Sequence, residues 1–364
     1  MLTLSSPLHR MIGAVIAVVL GVAGALVASI DHSRAQVVAA AAAPDDDHIN
    51  YVLAISIDGL NPQAIRDLGP EGAPNLYRLM TEGTSTLNAR TALESTSTLP
   101  NHTGMLTSRR VDARRGGHGV DFNDDESKTT VHRAAGRYVP SVFDVLHDRG
   151  RATALYTSKD KFALYNRSWN RRHGAPDTVG ANDGRDKIDT FTYLEDEDAL
   201  VDLIVADLGD GAAPFTFVHL SSTDKVGHAS GYMTPDYVNQ VTVVDARVGR
   251  LLDLVEATPE LQEHLAVILT SDHGGLGKSH SAAGDRVNYT IPFMVWGSGV
   301  TAGGDLYATN PAYADPGTSR PNYAADPQPI RNGAMGNLAT DLLDLPRIPG
   351  SQMNTERNLL VIAE

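Results

Sequence analysis

The chain has 364 residues, 42% of them hydrophobic, enough to bury a substantial core in one large domain or two ordinary ones. Asp and Glu outnumber Lys and Arg by 44 to 30, and the formal net charge of -14 argues against the basic surface that nucleic-acid binding demands. There is no cysteine, so any metal site must be built from His, Asp, Glu and hydroxyls.

At the N-terminus, Arg10 precedes an apolar stretch from Met11 to Ile30, and a small-x-small site ends at Ala35. Residues 1–35 are therefore predicted to be an export signal, which places the protein outside the cytoplasm. The apolar run is also long enough to span a bilayer, so an uncleaved segment would anchor the protein to a membrane. An Ala-rich, acidic linker over 36–47 leads into a single catalytic domain predicted over 48–364, with no internal repeat and no second shift in composition.

Three apolar runs read as buried strands: YVLAISI at 51–57, FTFVHL at 215–220 and LAVILTS at 265–271. Between them lie helical patterns in APNLYRLMTEG, VPSVFDVLHDRG and YVNQVTVVDARVGRLLDLVEAT, the last opened by Pro235 and Asp236. The alternation predicts an α/β fold with a largely parallel central sheet and helices on both faces. The stretch TSTLPNH, 96–102, reads by itself as a polar loop in which Pro100 stops a regular element and the hydroxyls bond their own backbone.

Each strand run is followed at once by acidic residues, histidine or both. Asp58 follows the first, Asp224 and His228 the second, Asp272 and His273 the third, and His280 comes after a Gly-rich loop. Singly these have ordinary explanations: a turn at Asp58-Gly59, an acid and a histidine on one helical face, a helix cap at Asp272. In open α/β sheets, however, ligands bind beyond the carboxyl ends of the strands, where these residues would converge. Three carboxylates and three histidines suffice for two divalent ions with open positions, and mixed imidazole and carboxylate ligation suits zinc best. Two such ions clamp the oxygens of a phosphoryl displacement, and a coordinated Thr98 hydroxyl would become a nucleophile.

The motifs SIDG, TLPNH, HGVDFN, DKVGH, SDHGG with the following His280, YTIPFMVWGSGV and the closing LLDLPRIPG resemble the alkaline phosphatase superfamily. Within it they are similar to the nucleotide pyrophosphatase/phosphodiesterase group, the type I phosphodiesterases. The resemblance implies an alkaline phosphatase-like fold, with Asp58, Thr98, Asp272 and His273 at one metal ion and Asp224, His228 and His280 at the other. It further implies a phospho-threonine formed on Thr98, an Asn123 amide aimed at the phosphoryl oxygen, and a small-molecule phosphodiester or nucleotide as substrate.

Two departures stand out: TSRRVDARRGGHGVDFN is more basic than the usual stretch before the Asn, and HSAAG replaces the common H-G after the last ligand. In YTSKDKFALY, Lys159 and Lys161 are either a solvated loop or a pair that steers an anionic leaving group; a similar Lys-x-Lys pair contacts the substrate carboxylate in phosphonoacetate hydrolase. His102 is expected to brace the Thr98 turn, whereas His118, His132, His147, His173, His219 and His264 are expected to be structural or on the surface. The rival readings are a phosphomonoesterase or phosphonate hydrolase on the same metal core, and a metal-containing binding protein without turnover.

Overall fold

The computed structural model describes residues 48–181 and 184–362, so the predicted signal and linker lie outside the described residues. No helix among the described residues is long and apolar enough to cross a membrane. Eight strands form one sheet: β1 (Tyr51–Ile57), β2 (Thr84–Arg90), β3 (Thr153–Thr157), β4 (Thr190–Tyr193), β5 (Phe215–Leu220), β6 (Leu265–Thr270), β7 (Thr290–Gly297) and β8 (Gly304–Asp305). Their order is β4-β3-β5-β1-β6-β7-β2-β8. The pairings from β4 to β6 are parallel, and β7 runs against both of its neighbours.

The helices that matter for the site are α1 (Pro62–Gly72), α2 (Pro74–Glu82), α3 (Thr98–Thr107), α4 (Val142–His147), α5 (Glu197–Gly211), α6 (Ser222–Ser230), α7 (Pro235–Ala257) and α8 (Met335–Leu342). Helix α7 begins where the sequence signals it: the Thr234 hydroxyl accepts from Tyr237 N–H, Pro235 occupies the first turn and Asp236 faces the helix dipole. The three predicted strands are β1, β5 and β6, and the three predicted helices are α2, α4 and α7.

Strand β1 is largely apolar, and buried from Val52 onward, because both faces of the sheet are covered. Val52 and Ala54 pack on one face with Phe217, Ile268, Leu99 of α3 and Phe143 of α4; Leu53 and Ile55 pack on the other with Val218, Val267, Ile65 of α1 and Val248 of α7. The alternation follows the two-residue period of a strand. Ile57 lies opposite Leu220 and Ser56 opposite Thr270, so β5, β1 and β6 end level with one another. The segments that carry Asp58, Asp224 and Asp272 therefore start side by side.

The stretch TSTLPNH differs from its sequence reading. Thr98 opens helix α3, and Pro100 is its third residue rather than a stop. The first helical N–H groups have no intrahelical acceptor, so a proline there loses no bond.

Candidate metal centre

Asp58 leaves β1 and is fully buried. Its Oδ2 accepts from Lys159 Nζ at 2.6 Å and from His219 Nε2 at 3.0 Å. Its Oδ1 faces His273 Nε2 at 3.3 Å, and that nitrogen lies 3.1 Å from Asp272 Oδ2. Asp224 and His228 are one turn apart on α6, as their spacing predicts. Asp224 Oδ1 lies 3.3 Å from His228 Nε2 and 3.7 Å from His280 Nε2, and the two histidine nitrogens are 3.1 Å apart. Asp58, Asp272 and His273 thus form one group able to hold a cation; Asp224, His273 and His280 form a second, with His228 against it. The His273 and His280 rings stack at 3.6 Å and join the two groups.

Three of these histidines share a tautomer. Nδ1 of His273 contacts the Gly274 carbonyl at 2.8 Å, Nδ1 of His280 the Thr96 carbonyl at 2.7 Å and Nδ1 of His228 the Lys278 carbonyl at 2.9 Å. A carbonyl only accepts, so each Nδ1 carries the proton and each Nε2 turns a lone pair inward. Lone pairs pointed at carboxylates and at one another repel unless a cation lies between them. Asp272 and Asp58 outweigh the burial that opposes a charged His273 and push its ring up to about 10, so positive charge is favoured at this spot. His280, driven down by burial and by His273, falls to about 4 and stays neutral.

A second observation bears on metal fit. Asp58 Oδ1, Thr98 Oγ1, Asp272 Oδ2 and His273 Nε2 are all buried without a hydrogen-bond partner. Orphaned buried polar atoms are costly, and these four belong to the residues expected at one metal ion. The donor set of hydroxyl, carboxylate and imidazole fits a divalent ion of the zinc type. Burial raises the Asp58 carboxyl, yet Lys159, His219 and His273 together hold it well below the carboxylate range. Asp224 and Asp272 are likewise held low despite burial, which keeps all three carboxylates charged.

The segment around Thr98 is braced from three sides. Asn101 Nδ2 donates to the Ser95 and Ser97 carbonyls, while its Oδ1 accepts from Ala92 N. His102 Nδ1 donates to the Thr98 carbonyl at 2.8 Å, and its Nε2 accepts from Ser56 Oγ on β1 at 2.8 Å. Asn123 Oδ1 accepts from Leu99 N at 3.0 Å and from Lys161 Nζ at 3.1 Å, so its amide stands beside Thr98 with Nδ2 left over. Lys159 and Lys161 occupy different places. Lys159 lies half-buried between Asp58 Oδ2 and Asp224 Oδ2, whereas Lys161 borders a groove of about 570 Å³ that Asn123, Asp124, Phe191 and Tyr193 also line. The basic stretch before Asn123 stays out of the site: Arg109 bonds the Gly116 and Pro349 carbonyls, Arg110 pairs with Glu94, and Arg114 and Arg115 with Asp112.

Sequence reasoning passed over His219 and Tyr232. His219 is the polar residue inside the apolar run FTFVHL, which was the available signal; it donates to Asp58 and is itself steadied by the Thr157 hydroxyl. Tyr232 carries no comparable signal, yet its hydroxyl donates to Asp224 Oδ1 at 2.5 Å.

A mostly parallel sheet with ligand-type residues on three adjacent strand ends defines an alkaline phosphatase-like fold. The type I phosphodiesterase / nucleotide pyrophosphatase family matches residues 52–285, and the chain belongs to that family. Among solved structures it is similar to murine ectonucleotide pyrophosphatase / phosphodiesterase 5, with a TM-score of 0.59 and 13% identity over 86% of this chain and 100% of that one. It is also similar to an alkaline phosphatase superfamily protein from Vibrio parahaemolyticus, with a TM-score of 0.53 and 13% identity over 90% of this chain and 77% of that one. Among curated proteins it is similar to GPI ethanolamine phosphate transferase 1 of Gibberella zeae, 31% identical over 86 residues, 24% of this chain and 9% of the relative. The same-named protein of Schizosaccharomyces pombe is 23% identical over 44% of this chain and 18% of its own length. The chain thus spans less than a fifth of these curated relatives.

Proposed function

We propose that the protein is an exported hydrolase of phosphodiester or pyrophosphate bonds that uses Thr98 as its nucleophile. The observation that carries this reading is the orphaned Thr98 Oγ1, buried at the start of a helix in company with the orphaned Asp58 Oδ1, Asp272 Oδ2 and His273 Nε2. The Thr84 and Thr290 hydroxyls also lack partners, but both sit in strands, whereas Thr98 opens the helix that His102 ties to the sheet. Thr98 Oγ, its proton passing to solvent, attacks phosphorus, the leaving alkoxide departs from the opposite side and takes up a proton from water, and a phospho-threonine forms with inversion. Water then attacks the same phosphorus and restores the threonine.

Asp58, Thr98, Asp272 and His273 would hold one divalent ion, and Asp224, His228 and His280 the other, most simply zinc. When bound, the ions supply Lewis-acid stabilisation of the phosphoryl oxygens and of the attacking and leaving oxygens. The protein's own part is to hold its carboxylates charged, fix its histidine tautomers and orient Thr98 through Asn101 and His102. The leftover Nδ2 of Asn123 donates to the phosphoryl oxygen as charge develops there. The groove beside Asn123 takes the leaving group, with Lys161 at its rim. The substrate is a small phosphodiester or nucleotide; the murine fold neighbour was solved as an inactive variant in complex with AMP, which makes a nucleotide ester the first compound to test.

A second reading follows from the curated relatives, which are named as ethanolamine phosphate transferases: the same phospho-threonine would be resolved by an alcohol instead of water. Product analysis separates the two. Incubation of the zinc-loaded protein with an aryl phosphodiester and a primary alcohol should yield a free phosphomonoester for hydrolysis, or a new diester for transfer. Absence of turnover of any phosphate ester would reduce the protein to a metal-containing binding protein.

A further inference from the structure

Tyr232 belongs to none of the motifs above, yet it touches the three segments that carry the candidate carboxylate and histidine ligands. A Cβ added to Gly227 of DKVGH would stand 2.6 Å from its ring, one added to Gly275 of SDHGG would overlap the ring, and one added to Gly59 of SIDG would lie 3.1 Å from its hydroxyl. Three glycines from distant motifs are thus small because one aromatic ring fills the space their side chains would need. Gly59 alone has a further reason, a left-handed φ of 71°. The ring is 5% exposed, and Tyr232 N donates at 2.6 Å to the carbonyl of Gly277, in the loop between His273 and His280.

The hydroxyl is equally specific. It donates to Asp224 Oδ1, the oxygen that faces His228 and His280, while Lys159 holds Oδ2. Both oxygens of Asp224 are therefore fixed, and the direction of the Oδ1 lone pair toward the two histidines is set by the phenol. We infer that Tyr232 is the positioning residue of the Asp224, His228 and His280 group, acting on metal affinity through the orientation of Asp224. This rests on the two-metal reading above. Groups that hold a ligand from behind typically change metal affinity 10- to 100-fold when removed.

The test is a zinc titration of the full chain against a chromophoric chelator. Tyr232→Phe keeps the ring on its glycines and removes only the hydrogen bond, and near-UV circular dichroism in excess chelator checks that the fold is retained. One of the two ions should bind about 10- to 100-fold more weakly, the other unchanged, and excess zinc should restore full occupancy. Gly227→Ala, which forces the ring off its seat, should weaken the same ion. A packing role alone would leave both affinities of Tyr232→Phe where they were, and that result would overturn the assignment while leaving the metal centre intact. A parent chain that binds no zinc would instead remove the metal centre and the tyrosine's role together.

Discussion

Nδ1 of His102 donates to the main-chain carbonyl of Thr98 at 2.8 Å, one helical turn away, while its Nε2 accepts from Ser56 on the central strand. The ring ties the nucleophile's own backbone to the sheet. Burial pushes this histidine down to about 3, so it remains the neutral tautomer that both bonds require. His102→Phe should keep the shape of the side chain but orphan the Ser56 hydroxyl and remove the second bond to the Thr98 carbonyl, costing about 1–3 kcal/mol in urea unfolding. It should also lower turnover, since Thr98 would lose its alignment. Unchanged stability would mean that the two bonds contribute nothing net.

Thr98→Ala should leave metal content close to that of the parent and abolish nearly all turnover, because Thr98 is at most one ligand among several. Thr98→Ser should retain measurable activity. Rates on a p-nitrophenyl nucleotide ester, read beside elemental analysis of the same samples, decide the matter. An alanine variant that turns over like the parent would pass the nucleophile's role to another group.

Metal content gives the next expectation: about two zinc ions per chain in the parent, with fewer in Asp224→Ala or His280→Ala, each of which removes a ligand. Activity should vanish in strong chelator and return with zinc. Full activity in chelator, with no transition metal found by elemental analysis, would end the metallohydrolase reading.

Substrate charge provides a further test. The neutral Asn123 amide suits the single charge of a diester, so bis(p-nitrophenyl) phosphate should be hydrolysed with higher kcat/KM than p-nitrophenyl phosphate, and Asn123→Ala should raise the barrier by about 2.7–4 kcal/mol. Of the six basic residues that could have supplied extra charge, four arginines are engaged elsewhere. Only the two lysines remain at the site, and Lys161 is the one beside Asn123. A monoester preference that disappears in Lys161→Met would identify that ammonium as the missing cation and make the monoesterase or phosphonate reading the correct one.

Two histidines outside the metal groups predict acid sensitivity. Burial, with Arg109 adding to it, pushes His118 down to about 3, and burial pushes His132 down to about 4. Their Nδ1 atoms accept from Val120 N and Val139 N, which a charged ring could not do. Since the unfolded chain binds these protons near pH 6.5, their contribution is complete above that pH and is lost as pH falls toward the folded values. Urea unfolding in chelator should therefore lose up to about 1.4 kcal/mol per pH unit per histidine between pH 6 and 5. His118→Asn keeps an acceptor for Val120 and should flatten the slope; an unchanged slope would assign the acid sensitivity to other groups.

Much of this arrangement could be read in the chain because strands β5, β1 and β6 are marked twice, by largely apolar runs and by the acids that follow them. A strand-end rule then suffices to bring Asp58, Asp224 and Asp272 together without any knowledge of the loops. Helix α3 was misread because Pro100 was weighed as a breaker, although in the first turn a proline costs nothing. His219 and Tyr232 escaped for another reason: what each does depends on a partner 161 and 8 residues away respectively, and neither partner shares a period or motif with it. Lys159 and Lys161 look equivalent two residues apart, yet one faces buried carboxylates and the other an open groove.

The three inward-facing histidines owe their tautomers to the carbonyls of Gly274, Thr96 and Lys278, and a carbonyl is present whatever residue occupies the position. The basicity of these imidazoles is therefore written into the path of the backbone and is indifferent to substitutions at those three positions that leave the path unchanged. Directed evolution aimed at a different metal or substrate would find little purchase there. It would have to work through the carboxylates, Lys159 and the groove, where side-chain identity alone sets the chemistry.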